Sequence, residues 1–106
     1  MNRGDVCWYT FRPPDKRRPV LVLTRDSAIK YLTDITVASI TSTIRGTPSE
    51  VLLTRDDGLR DDCAINLYNI HTVPKSHLGA SIAHLSPDKM HDVQQAIEFA
   101  FRKNDP

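Results

Sequence analysis

Four cations, Arg12, Lys16, Arg17 and Arg18, crowd the approach to the apolar run Val20-Leu21-Val22-Leu23, and the hydroxyls Thr41-Ser42-Thr43 follow a second run at 35–40. A guanidinium offers two parallel N–H donors under a permanent charge, which suits phosphoryl oxygens, and a threonine hydroxyl can add one more hydrogen bond. If the two runs are neighbouring strands, an arginine fork and a hydroxyl converge on one phosphate. Spacing alone favours a plainer reading, since an arginine beside a threonine on an ordinary sheet surface is commonplace, and leaves the phosphate site as the alternative.

The other constellations carry less chemistry. His71, His77, His84 and His91 are spaced six, seven and seven apart. A seven-residue repeat stacks side chains only along an unbroken helix, and Gly79 and Pro87 interrupt one here, so surface histidines are expected and no metal site. Asp56-Asp57 and Asp61-Asp62 flank Gly58 and read as a solvated acidic turn rather than a metal-dependent nuclease centre. Cys7 and Cys63 form no CxxC pair and are expected as buried free thiols. The tripeptide Arg3-Gly4-Asp5 is short enough to arise by chance. No nucleophile elbow, phosphate-binding glycine loop, zinc-binding HExxH or dinucleotide fingerprint occurs, and no cofactor is expected.

The elements that would position the cations and hydroxyls are mostly strands. Residues 6–11 are β-branched and aromatic and run into Arg12-Pro13-Pro14, which predicts a strand stopped by prolines. Residues 19–23 form a continuous apolar run, as a strand buried on both faces would, with Pro19 tolerable at its first position. Further strands are predicted at 35–40, 50–53, 63–69 and 70–73, the last two either separate or one bent strand, with turns at Arg45-Gly46-Thr47-Pro48 and Asp56-Asp57-Gly58. Ser86, Pro87 and Asp88 supply an N-cap, a first-turn proline and a negative charge at a helix start. Met90, Val93, Ile97, Ala100 and Phe101 then fall on one face of that helix. A mainly β fold results: a small, strongly bent antiparallel sheet or barrel with a C-terminal helix.

The 106 residues make one domain, 1–106, whose 40% hydrophobic content is enough for a core. Apolar runs of about four residues cannot span a bilayer, and no secretory segment follows Met1, so a soluble cytoplasmic protein is expected. The net charge of +1 conceals an asymmetry: residues 1–55 carry nine Lys/Arg against five Asp/Glu, and residues 56–106 carry five against eight. This division suggests opposite lobes facing opposite partners, the basic one an anion.

The order of residues resembles a known family. Arg3-Gly4-Asp5-Val6, then Arg17-Arg18-Pro19-Val20-Leu21-Val22-Leu23, Ile40-Thr41-Ser42-Thr43 with Pro48, Asp62-Cys63-Ala64, the stretch from Ile70-His71-Thr72-Val73-Pro74 to Gly79, and Leu85-Ser86-Pro87 before Met90 and Val93 are similar to the MazF/PemK (Kid) family. These are the endoribonuclease toxins of bacterial type II toxin–antitoxin pairs. The resemblance implies an SH3-like barrel with an appended helix, a homodimer, and metal-independent, sequence-specific cleavage of single-stranded RNA to 2′,3′-cyclic phosphate and 5′-OH ends. It also implies a MazE-like antitoxin whose acidic flexible segment occupies the RNA groove. The family's catalytic arginine and threonine correspond to Arg18 and Thr41. Arg12, Lys16, Arg17, Ser42, Asn69 and His71 are expected to contact RNA. Histidine is the side chain suited to proton transfer near neutral pH, so His71 is also the best conventional acid in that vicinity.

The sequence departs from the family in two places. Many members have a longer first loop with Ser-Glu-Gln and Gly before the Arg-Pro, whereas this chain has Arg12-Pro13-Pro14-Asp15-Lys16-Arg17, so the loop's auxiliary groups have no counterpart in Asp15. His71 stands where Arg or Lys is common, and Tyr68-Asn69 where an acidic residue and Gln are common. Two alternatives belong to other classes: a CcdB-like, non-catalytic toxin acting on DNA gyrase, and an inactive nucleic-acid-binding module. The ending Phe101-Arg102-Lys103-Asn104-Asp105-Pro106 lacks the apolar-aromatic terminus that gyrase binding uses. Retention of both Arg18 and Thr41 argues against the inactive module.

Overall fold

A computed structural model describes residues 1–12 and 16–103. The expectations that fall on Pro13, Pro14 and Asp15, and on the tail from Asn104, lie outside the described residues. Six strands, β1 (Asp5–Thr10), β2 (Arg17–Val22), β3 (Asp34–Thr41), β4 (Glu50–Leu53), β5 (Cys63–Pro74) and β6 (Ser81–His84), form one antiparallel sheet in the order β4-β5-β3-β2-β1-β6. A short helix α1 (Asp26–Ile29) follows β2, and α2 (Pro87–Phe101) ends the fold. The mainly β architecture with a C-terminal helix is the one expected from sequence.

Period-two alternation sends the side chains of β1, β2, β3 and β5 to two cores. Val6, Leu21, Ala38, Ile40, Leu53 and Ile65 join Val93 and Ala96 of α2 on the inner face. Cys7, Val20, Val22, Ile35, Val37 and Val73 pack on the other face with Ile29 of α1. Residues 20–22 are therefore buried on both sides, which explains their unbroken apolar character. Both thiols are free and buried, and desolvation is the main reason each pKa is raised; neighbouring acids, led by Asp62 for Cys63, push in the same direction.

Strand β2 begins earlier than predicted, which places Pro19 in its third position. The ladder tolerates this. Trp8 faces Pro19, but the Trp8 N–H donates to the Ala80 carbonyl and the Trp8 carbonyl accepts from the Gly79 N–H, both away from β2. The Trp8–Pro19 pair is thus a non-hydrogen-bonded one, and pairing with β3 begins only at Val20, so the missing N–H leaves no gap. Residues 63–74 form one strand, not two. Its partner register jumps between Ser39↔Asn66 and Ala38↔Ile70, so Leu67, Tyr68 and Asn69 make a bulge.

In α2, Ser86 Oγ accepts from the Lys89 N–H at 3.1 Å, as the cap predicted. The buried stripe is centred on Val93 and Ala96. Phe101 does not join it: at the last helical position, with no following turn to cover it, 61% of its surface is exposed. The predicted acidic turn is a 3-10 turn, Arg55–Asp57, closed by a reciprocal cap in which Thr54 Oγ1 accepts from the Asp56 N–H and Asp57 Oδ2 from the Thr54 N–H. Gly58 follows at φ +95, and a Cβ there would stand 3.1 Å from Ala83 Cβ, so the sheet curls until the segment after β4 meets β6. Gly58→Ala is expected to lower stability by about 1–2 kcal/mol through left-handed backbone strain alone, read as a lower urea midpoint at unchanged slope.

Candidate nucleic-acid interface

Strand register sets the geometry of the site. Val20 faces Ser39 across β2 and β3. Arg18 and Thr41 lie two residues beyond that last β2–β3 pair, on the face of Val20 and Ser39. On β1, Tyr9 faces Arg18; on β5, Ala64 faces Thr41, Asn66 faces Ser39 and His71 faces Val37. On β4, Glu50 faces Asn66. Arg18, Ser39, Thr41, Glu50, Asn66 and His71 therefore share one side of the sheet.

Two clefts meet there. The first, about 390 Å³, is lined by Phe11, Asn69 and His71 at one end and by Thr43, Arg45 and Glu50 at the other. The second, about 650 Å³, is lined by Lys16, Arg17 and Ser42, by Trp8 and Pro19, and by Asp61 and Asp62. Arg18, Ile40 and Thr41 line both. The guanidinium and the hydroxyl thus occupy the ridge between two hollows. Thr41 Oγ1 accepts from the Thr43 N–H at 3.1 Å, which orients the hydroxyl and leaves its proton available for donation.

Local contacts shape each cleft. Arg17 stacks over the Trp8 ring with its guanidinium carbon 4.4 Å from the centroid, a cation–π pair that makes a flat cationic shelf. Glu50 Oε1 accepts from the backbone N–H groups of Arg45 and Gly46, at 2.9 and 3.0 Å, and so ties down the loop after β3. Asn66 Oδ1 accepts from the Tyr68 N–H at 3.0 Å and stabilises the bulge that carries Asn69. His71 meets the Phe11 ring edge-on at 5.1 Å, and its Nε2 is buried with no hydrogen-bond partner.

Of the residues singled out from sequence, Arg18 and Thr41 come together, Lys16, Arg17 and Ser42 share the second cleft, and Asn69 and His71 share the first. Arg12 is exposed and lines neither cleft. Ser39, Arg45, Glu50 and Asn66 were not singled out; the alternation Val37-Ser39-Thr41 was the one available signal for Ser39. The charge asymmetry does not divide the molecule into lobes. The curl of the sheet brings Asp61 and Asp62 into the same cleft as Lys16 and Arg17. His71, His77 and His84 lie on β5, on the turn after it and on β6, and His91 on α2. Among the described residues no three His, Cys, Asp or Glu side chains gather closely enough to hold a metal ion.

A small curled, helix-capped β-sheet thus carries a cationic, hydroxyl-bearing ridge between two clefts, an arrangement suited to an anion. The profile of a family described as "PemK-like, MazF-like toxin of type II toxin-antitoxin system" matches residues 2–101. Among curated proteins, the chain is 38% identical over 98 residues to the "Probable endoribonuclease MazF2" of Mycobacterium tuberculosis, covering 92% of this chain and 94% of that protein. It is 39% identical over 87 residues to "Endoribonuclease MazF3" of the same species, covering 82% and 84%. Among solved structures, the "Mycobacterium tuberculosis toxin MazF-mt6" superposes with a TM-score of 0.85 at 34% identity, covering 95% of this chain and 99% of that one. The chain belongs to the PemK/MazF toxin family of type II toxin–antitoxin systems.

Proposed function

We propose that the protein is a metal-independent endoribonuclease that cleaves single-stranded RNA by transesterification. The observation that carries this reading is that Arg18 and Thr41 both line the two clefts and so share the ridge between them. With a phosphodiester over that ridge, the neighbouring ribose 2′-oxygen attacks phosphorus. The new P–O2′ bond forms as the P–O5′ bond breaks; the 2′-OH proton is lost and the leaving 5′-oxygen gains one, giving a 2′,3′-cyclic phosphate and a 5′-OH. DNA lacks the nucleophile, so selectivity for RNA needs no separate reader. Arg18 clamps the phosphoryl oxygens as negative charge builds on them, and Thr41 donates to the same charge. Arg18 is not the base, because a guanidinium stays protonated at neutral pH.

Lys16 and Arg17 extend the positive surface along the strand, and Ser42, Asn69 and His71 contact bases or sugars. His71→Ala is expected to weaken RNA binding or change the cleavage motif; loss of turnover with RNA affinity intact would instead give His71 a part in proton transfer.

An endoribonuclease "in complex with its cognate antitoxin from Mycobacterial species" has the same fold, with a TM-score of 0.86 at 24% identity. By kinship this chain pairs with an antitoxin of the MazE type, whose acidic flexible segment competes with RNA for the cationic ridge, and it forms a homodimer. Among the described residues no helix is long and apolar enough to cross a membrane. The toxin acts in the cytoplasm, where RNA is.

Incubation of the purified protein with a long, structure-poor RNA in EDTA, followed by mapping of the new ends, tests the reading. Discrete cuts bearing 5′-OH groups are expected. Intact RNA, or ends bearing 5′-phosphate, would remove it, and intact RNA alongside stalled DNA gyrase would point to the CcdB-like mode.

A further inference from the structure

Both clefts carry cations and carboxylates, and they differ in how the carboxylates are engaged. In the first, Asn66 Oδ1 is engaged with the bulge and Glu50 Oε1 with its own loop, so the Asn66 amide NH2 joins Arg45 and Thr43 as donors. In the second, Asp61 and Asp62 are both exposed. Among the described residues neither carboxylate makes an ion pair or a hydrogen bond, although Lys16 and Arg17 share the cleft. Two unengaged carboxylates beside a phosphate-binding ridge work against backbone binding unless they contact something other than phosphate. The groups on RNA that a carboxylate attracts are the ribose 2′-hydroxyl, common to every nucleotide, and the base N–H donors, which differ from base to base. The cleft also contains a surface for a flat base, the Arg17 guanidinium stacked on Trp8, with Pro19 and Ile82 as apolar lining.

The four bases differ in what they present to such a wall. Guanine places N1–H and an amino N–H side by side, a match for the two oxygens of one carboxylate. Adenine and cytosine set an amino group beside a bare ring nitrogen, and uracil sets one N–H between two carbonyl oxygens; in each case the lone pairs repel the carboxylate. We propose that the second cleft seats the base on one side of the scissile phosphate, and that Asp61 and Asp62 select guanine there. The inference rests on the endoribonuclease reading and adds to it a base-reading site. The first cleft, with its donors, takes the base on the other side and serves as an internal control.

The test maps 5′-OH ends from a randomised RNA pool cut by the wild type and by the double variant Asp61→Asn/Asp62→Asn, reading base frequencies on each side of the cut. The wild type is expected to show guanine enriched at one flanking position, and the variant to lose that enrichment roughly tenfold or more while preferences at the other flank stay as they were. Replacing the guanine by inosine, which lacks the 2-amino group, is expected to slow cleavage by the wild type and needs no variant. No guanine preference in the wild type, equal cutting at inosine, or full preference retained in the variant would each overturn the assignment while leaving the nuclease reading intact. Absence of any 5′-OH cut by the wild type would remove both.

Discussion

Arg18→Ala will cut structure-poor RNA on the order of 10²–10³ more slowly than the wild type under single-turnover conditions, with an unchanged thermal melt. The expected separation of activity from stability follows from placement. Arg18 is exposed and belongs to neither core, so truncation removes charge and donors but leaves the apolar packing in place. Arg18→Lys retains the charge without the planar fork, and its rate should fall between the two. Wild-type turnover in Arg18→Ala would end the role assigned to this side chain.

Thr41→Ala should lose activity on the order of 10²-fold and also a little stability. Its hydroxyl oxygen accepts from the Thr43 N–H, a hydrogen bond whose net worth is about 1 kcal/mol, so a small fall in melting temperature accompanies the loss of rate. Thr41→Ser restores both the acceptor and the donor and is expected to recover most of the rate. Because both groups act on the same developing charge, the Arg18→Ala/Thr41→Ala double variant should be less impaired than the product of the single effects. Strict multiplicativity, or a Thr41→Ala enzyme as fast as the wild type, would show that the hydroxyl does not act at the phosphate.

Much of this architecture could be read from sequence where local pattern and tertiary environment agree. The run Val20-Leu21-Val22-Leu23 announces a strand between two cores because both faces must be apolar, and Ser86-Pro87 marks its helix because cap chemistry is local. Strand β6 escaped because Ser81-Ile82-Ala83-His84 is four residues long and owes its strand form to pairing with β1. Helix α1 is a single turn without a side-chain cap. The bulge at Leu67, Tyr68 and Asn69 is a matter of register, which hydrophobic pattern does not encode when Leu67 faces the core and its neighbours do not.

For the site, the sequence supplied the reactive types but not their walls. Arg18 and Thr41 were recognisable because a cationic cluster and a hydroxyl cluster each adjoin an apolar run. Glu50 and Asn66 reach the same surface through strands β4 and β5, by the pairs Glu50↔Asn66 and Ser39↔Asn66, 16 and 27 residues apart in sequence, which only the folded order of strands supplies. The placement of acids was misjudged for the same reason. A charge count along the chain treats residues 56–62 as remote from Lys16 and Arg17, whereas the curl marked by Gly58 and Ala83 makes them neighbours.

The burial of β2 on both faces has a consequence for how the molecule fails under heat. Val20, Leu21 and Val22 have no exposed surface, and Arg18 extends from the same strand two residues before them. Opening that strand exposes both cores together, so its amides exchange with solvent only when the whole chain opens. With the guanidinium carried by that strand, thermal inactivation is expected to coincide with global unfolding, which comparing residual RNA cleavage with the melting curve would check.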